Sequence, residues 1–375
     1  MKYTTILLVL IKFSFPISAQ QTINGSITHD GMQRNYILYI PEIYDGSAAV
    51  PLVLNFHGYG SNAAQQMFYG DFRDIADTEG FLLVHPEGTI LNGDQQWNVG
   101  FLENGNTTDD VGFTEALIDE LANLYTINLD RVYATGMSNG GFMSFLLACQ
   151  LSEKIAAVAS VTGSMTPDIY NACNAQQPTP ILQIHGTSDS NVPYNGATNS
   201  LSIEDVTSYW VNYNNCETNP TITTFPDTDT TDGSTVEHSV YENTNNGITI
   251  EHMKVIGGGH TWPGSAIILP GTNQDINASM EIWHFFSRFN INGILSVPES
   301  DNIQANIYPN PTNSKINLSL HFSKELNYEL FSSLGKLLII GTIKTNNQEI
   351  DLSNLSPNIY YLKLGSQVFK ILKSN

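Results

Sequence analysis

The 375-residue chain is poor in cysteine and in positive charge. Three cysteines are too few for a disulfide scaffold, and no Cys/His spacing matches a zinc site, so no metal or other cofactor is expected. Fifteen basic residues stand against 36 acidic ones, a net charge of −21. Residues 303–375 carry seven lysines and only four acids, so the acidity is concentrated in the segment before them. Such a surface repels nucleic acid and anionic membranes, and neither is expected as a partner. Long apolar runs are missing as well. The N-terminal run Ile6 to Ile11 is too short to span a bilayer. Lys2 precedes it, Lys12 interrupts it, and small residues follow at Ser18-Ala19. Residues 1–20 therefore read as a secretory signal cleaved near Ala19 or Gln20.

What the chain does have is Gly136-Met137-Ser138-Asn139-Gly140 between two different patterns. Upstream, Arg131 to Thr135 is a short β-rich apolar run; downstream, Phe142 to Cys149 places apolar residues at helical spacing. A serine on a tight strand-to-helix turn is held in strained backbone with its hydroxyl exposed at the top of a sheet. Side chains at the two glycine positions would collide with the neighbouring strand and helix.

A serine hydroxyl is a weak nucleophile until a base takes its proton. The partners of such a serine follow in the order acid, then histidine. Pro180 to His185 reads as a buried strand that breaks at Gly186 and delivers Asp189 onto the next loop. Ile248 to Ile256 reads as a later strand ending in Gly257-Gly258-Gly259-His260. The expected roles are attack by Ser138, proton transfer by His260, and orientation of the imidazole by Asp189. The developing oxyanion needs backbone donors. Asn139 N–H, directly after the nucleophile, is one. Tyr59 N–H, in the loop His57-Gly58-Tyr59-Gly60 after the strand Pro51 to Phe56, is the other, with Gly60 as the fallback. His57 is expected to order its own loop rather than to act as a base.

Cys149 closes the helix after the nucleophile and Cys173 lies in a later loop, so these two are the candidate disulfide. Asp227, Asp229 and Asp232 with Gly233 look faintly like a calcium loop, but the spacing misses the pattern and an exposed turn is expected.

Asp30-Gly31 is a strong hairpin turn. Strands are expected at 51–56, 81–85, 131–135, 156–161, 180–185 and 248–256, with helices at 64–79, 112–125, 139–150 and 203–214 between them, and a closing helix over 280–290. Such alternation argues for an α/β fold, a mostly parallel sheet with helices on both faces, over residues 21–290. Residues 291–302 have the composition of a linker. Residues 303–375 alternate in short strands and read as a small all-β sandwich without a catalytic group.

The stretch from about 22 to 290 resembles the secreted polyhydroxybutyrate depolymerase-like esterases, relatives of feruloyl and acetylxylan esterases. The resemblance runs through Phe72 to Asp77, Gly80 to Gly88, Asp109 to Phe113, Gly136 to Gly141, His185 to Asp189 with Val192-Pro193-Tyr194, and Gly257 to Gly264. It implies an α/β-hydrolase fold with a triad on Ser138, Asp189 and His260, and it places Trp97 and Trp262 along the substrate cleft. Two departures stand out. Cys216 lacks the partner that such esterases often carry before the histidine loop, which implies an unpaired thiol, and Tyr59 follows Gly58 where a cysteine is usual. The tail resembles the type A sorting domain of the type IX secretion system, through Tyr308-Pro309-Asn310-Pro311, Asn354 to Tyr360 and its basic end. That implies passage through the outer-membrane secretion machinery and a secreted or surface location; an accessory substrate-binding module is the competing reading.

The expected function is a secreted serine carboxylesterase acting on feruloyl or acetyl esters of plant polysaccharide. A poly(3-hydroxybutyrate) depolymerase or oligomer hydrolase is the alternative. A non-catalytic glycan-binding protein on the same scaffold is the rival of another class.

Overall fold

The computed structural model describes residues 20–100, 105–294, 306–319, 326–332, 337–343, 347–364 and 367–374. The expected signal segment up to Ala19 and positions 295–302 of the expected linker lie outside them. The chain divides into two compact units after residue 295.

The first unit opens with the hairpin of β1 (Gln21–His29) and β2 (Met32–Ile40). Asp30 and Gly31 both take positive φ, 48° and 72°, which matches the twist of the flanking strands. Then come β3 (Val50–Phe56), β4 (Leu82–Pro86), the small hairpin β5 (Thr89–Leu91) and β6 (Asp94–Gln96), β7 (Ile127–Met137), β8 (Ala157–Val161) and β9 (Ile181–Gly186). The last are β10 (Thr221–Thr224), β11 (Thr235–Glu242) and β12 (Thr249–Ile256). Ten of these form one sheet, ordered β1-β2-β4-β3-β7-β8-β9-β12-β11-β10. From β4 to β12 every pairing is parallel; both edges are antiparallel.

Both faces of the central strands are buried, as a parallel sheet requires. On β3, Leu52, Leu54 and Phe56 enter one core with Phe113, Leu117 and Leu121 of α3 (Asp110–Leu124), Phe142 and Phe145 of α4 (Asn139–Gln150) and Trp210 of α6 (Ile203–Tyr213). Val53 points the other way, into a core with Ile75 of α2 (Arg73–Glu79) and Ile282, Trp283 and Phe286 of α7 (Ala278–Phe286). This is the α/β-hydrolase fold that the sequence implied.

Several expectations need correction. The single helix over 64–79 is two, α1 (Ala63–Tyr69) and α2, broken at Gly70. Asn55 Nδ2 on β3 donates to Gly70 O at 2.9 Å, so that carbonyl serves the sheet instead of a helix. A Cβ at Gly70 would also meet the Trp262 ring at 3.1 Å. A short α5 (Pro167–Ala172), capped by Thr166 with proline in its first turn, was not foreseen, nor were the antiparallel edge strands β10 and β11. Cys149 in α4 and Cys173 just past α5 are joined by a disulfide across 24 positions. Cys216 is free and buried, and burial raises its thiol pKa to about 11.

The second unit holds two antiparallel sheets. One pairs Asn306–Tyr308, Lys315–Ser319 and Asn347–Asp351; the other pairs Leu337–Ile343, Leu326–Ser332, Asn358–Leu364 and Gln367–Lys373. Ile316, Leu318, Leu330, Leu362 and Ile371 form its core.

Candidate active site

The chain runs from β3 to β4 on one side and later adds β7 on the other, so the order of strands reverses between β3 and β7. A crevice opens at the carboxyl ends of strands at such a point. Phe56 ends β3 there and leads into His57-Gly58-Tyr59; Met137 ends β7 and leads into Ser138.

Ser138 has φ 54° and ψ −120°, a conformation that costs a non-glycine residue about 1–3 kcal/mol and survives only where the surroundings enforce it. They do so here by close packing. A Cβ on Gly136 would lie 2.6 Å from the backbone of Gly140 and from Phe56 O, and one on Gly140 would lie 2.2 Å from Phe56 O. Ser138 N–H donates to Val161 O at 2.9 Å, which pins the turn to β8. The Ser138 hydroxyl makes no capping bond to α4.

Asp189 follows β9, and its carboxylate is fully buried. Oδ1 accepts the N–H groups of Asn191 and Val192 at 2.9 and 2.8 Å; Oδ2 accepts Nδ1–H of His260 at 2.7 Å. Burial pushes the carboxyl upward, but the His260 hydrogen bond and charge, together with the Val192 N–H, outweigh it and hold the group below the ordinary carboxylate range. With Nδ1–H so engaged, His260 Nε2 is left to accept a proton.

His185 lies beneath the acid, with Nε2 at 3.4 Å from Asp189 Oδ2. Its Nε2–H donates to Val192 O at 2.8 Å and its Nδ1 accepts from Gln183 at 3.0 Å. Burial lowers its pKa to about 4, so it is a neutral support. His57 is also neutral, at about 4, again through burial. Its Nε2 accepts Gly88 N–H at 2.9 Å, which makes Nδ1 the donor to Gly58 O at 2.7 Å. It orders the loop that carries Tyr59.

Asn139 is the first residue of α4, where backbone N–H groups have no partner within the helix. Gly60 N–H, the fallback, already donates to Gln95 O at 2.8 Å. Ser138, His260, Asn139, Gly58 and Tyr59 all line one cavity of about 730 Å³, within the range of small-molecule sites. Ser61, Gln66, Tyr69, Met137, Phe142 and residues of the loop 191–200 complete its walls, and no sequence pattern marked Gln66, Tyr69 or Thr198 to Ser200 as part of it.

Trp97 and Trp262 do not line this cavity, contrary to the expectation. Both are fully buried, at 0% and 1% exposure. Trp97 packs edge-on against Phe56 and donates Nε1–H to His57 O at 2.9 Å. Trp262 packs against Phe72 and donates Nε1–H to Ser279 Oγ at 3.1 Å. They brace the loops that form the cavity.

In the acidic loop, Asp229 and Asp232 accept hydrogen bonds from Thr231, Ser234 and Gln274, as an internally bonded turn. Among the described residues one group, His29, Asp30 and Asp109, gathers potential ligand atoms within 4.8 Å, and there His29 Nε2 is already hydrogen-bonded to Asp109.

Residues 42–220 match the phospholipase/carboxylesterase family and residues 306–374 the secretion system C-terminal sorting domain. The chain is 29% identical over 280 residues to a bifunctional acetylxylan esterase/xylanase of Neocallimastix patriciarum, covering 74% of this chain and 36% of that protein. It is 29% identical over 238 residues to feruloyl esterase B of Piromyces equi, covering 60% of this chain and 42% of that protein. The chain therefore spans well under half the length of these two relatives. The acetyl xylan esterase of Aspergillus awamori shares this fold, with a TM-score of 0.51 at 14% identity, over 72% of this chain and 99% of that one.

Proposed function

We propose that the protein is a secreted serine carboxylesterase that uses Ser138, His260 and Asp189. The observation that carries this reading is the buried Asp189 carboxylate 2.7 Å from His260 Nδ1, on an imidazole that shares one cavity with the strained Ser138. In the proposed cycle, His260 Nε2 takes the Ser138 proton as Oγ bonds to the ester carbonyl carbon. Asn139 and Tyr59 N–H groups receive the oxyanion. The C–O bond to the alcohol breaks, and the alcohol leaves with the proton from His260. Water, deprotonated by the same imidazole, then cleaves the acyl-enzyme and restores Ser138.

Feruloyl or acetyl esters of plant polysaccharide are the proposed substrates. The names of the two relatives support this, as does a cavity wall of neutral polar residues at Asn191, Thr198, Asn199 and Ser200, suited to hydroxyl-rich groups. The tail is proposed to direct export across the outer membrane after the N-terminal signal has led the chain through the inner one. The test is a panel of p-nitrophenyl acetate, methyl ferulate, acetylated xylan and a hydroxybutyrate oligomer, with wild type and Ser138→Ala. Wild type should turn over at least one carbohydrate-type ester, and the variant should lose about six orders of magnitude in kcat without a change in melting temperature. A variant with full activity, or a wild-type protein that no fluorophosphonate labels, would refute the reading.

A further inference from the structure

The cavity has two unlike flanks. The polar one is the loop 191–200. On the other, Ser61 and Tyr69 border both the cavity and an adjoining apolar groove of about 670 Å³. Phe68 and Tyr69 of α1 form one wall of that groove; Ile267 and Leu269, from the loop after His260, form the other. The walls come from distant segments but are tied together. Trp262 N–H donates to Tyr69 OH at 3.2 Å, and Ser265 Oγ donates to Tyr69 O at 2.9 Å. The Phe68 ring is 53% exposed yet held in place, because the Arg73 guanidinium lies 4.6 Å from its centroid. Asp71 fixes that guanidinium through bonds of 2.9 and 2.6 Å. Ile267, Ile268 and Leu269 are exposed in a row on the facing loop. An ordered apolar patch left open to water marks a contact surface, and this one adjoins the nucleophile's cavity.

We propose that this groove is the acyl subsite and takes an aryl or long alkyl acyl group, while the loop 191–200 meets the hydroxyl-rich alcohol. The inference rests on the esterase reading above and deepens it: the enzyme favours bulky acyl esters over acetyl esters. Burial of apolar acyl surface against Phe68, Ile267 and Leu269 drives the preference, and an acetyl group is too short to benefit.

The full-length protein tests this through kcat/KM for p-nitrophenyl acetate, butyrate and octanoate and for methyl ferulate, in wild type and in a Phe68→Ser/Leu269→Ser double variant. Wild type should prefer octanoate to acetate by about tenfold or more. The double variant should lose about tenfold on octanoate and ferulate while acetate stays within about twofold. Equal losses on all esters, or no loss on any, overturn the subsite. If the double variant fails to fold, the wild-type series decides, and a kcat/KM that is flat or falls from acetate to octanoate overturns it. Failure of the esterase reading looks different, since wild type would then show no Ser138-dependent hydrolysis of any ester, and the subsite falls with it.

Discussion

Trp97 donates its backbone N–H to Asn139 Oδ1 at 2.7 Å, and its indole N–H holds His57 O at 2.9 Å. One buried residue thus grips both segments that carry the proposed oxyanion donors, the start of α4 and the loop after β3. Replacing Trp97 by Phe keeps most of the packing but strands the His57 carbonyl. An unsatisfied buried acceptor costs about 1–3 kcal/mol. The expected result is a lower melting temperature together with a kcat on p-nitrophenyl acetate reduced about tenfold, because donors displaced from the oxyanion lose transition-state stabilisation. An unchanged kcat would show that Trp97 serves the core alone.

Asp189→Asn separates charge from shape. The amide fills the same space, but it can present N–H to the imidazole, which moves the ring proton to Nε2 and blocks acceptance from Ser138. A loss of about four orders of magnitude in kcat with little change in stability is expected. The acid's own titration has a defined sign. Its folded pKa is depressed, so its contribution to stability is complete above the ordinary carboxylate range and is lost as pH falls through the lower folded value. Hydrolysis by the Asp189→Asn protein at more than a tenth of the wild-type rate would argue against this role for the acid.

Much of this architecture was legible in the sequence because it follows from local patterns. Runs such as Leu52 to Phe56 and Ala157 to Val161 are apolar on both faces, which only a covered parallel strand tolerates. The turn at Ser138 was legible because glycine two residues either side of it answers a steric demand that no other residue meets. The edge strands β10 and β11 were not legible. Thr221 to Thr224 is exposed throughout and is held by backbone pairing to β11, which leaves no hydrophobic pattern. Nor was the fate of Trp97 and Trp262, since a motif gives a residue's place in the chain and not the direction of its side chain. The break at Gly70 depends on Asn55, 15 positions away, and the groove beside Tyr69 is built from segments nearly 200 residues apart.

The Cys149–Cys173 bridge ties the end of α4, the helix that follows the proposed nucleophile Ser138, to the segment after α5. Closing a loop of 24 positions restricts the unfolded chain by about 3 kcal/mol. A Cys149→Ser/Cys173→Ser variant should therefore lose several degrees in melting temperature yet keep its kcat, because neither sulfur borders the cavity. Calorimetry and turnover on the same sample decide the point. A variant as stable as wild type would mean that the bridge adds nothing beyond the packing of α4.

Acid should unfold the protein through its buried histidines before its carboxylates take part. Burial lowers the pKa of His57 and His185 to about 4, and of His85 and His252 to about 3, from an ordinary value of 6.5. Between about pH 6.5 and 4 the unfolded chain therefore binds protons that the native chain refuses, and stability falls as pH falls. Each such histidine removes up to about 1.4 kcal/mol per pH unit in that window, so the four together approach about 5 kcal/mol per unit. Most carboxylates stay ionised in both states down to about pH 5.5, so the window from about pH 6.5 to 5.5 reports mainly the histidines. Glu87 and Asp110, whose carboxyls burial raises, act in the opposite sense. Urea midpoints measured at pH 7.5, 6, 5.5 and 5 should be level at first and then drop steeply. His85→Gln, which cannot titrate, should reduce the slope by about a quarter. A midpoint that holds steady down to pH 5 would mean that these rings take up protons in the native state as readily as in the unfolded one.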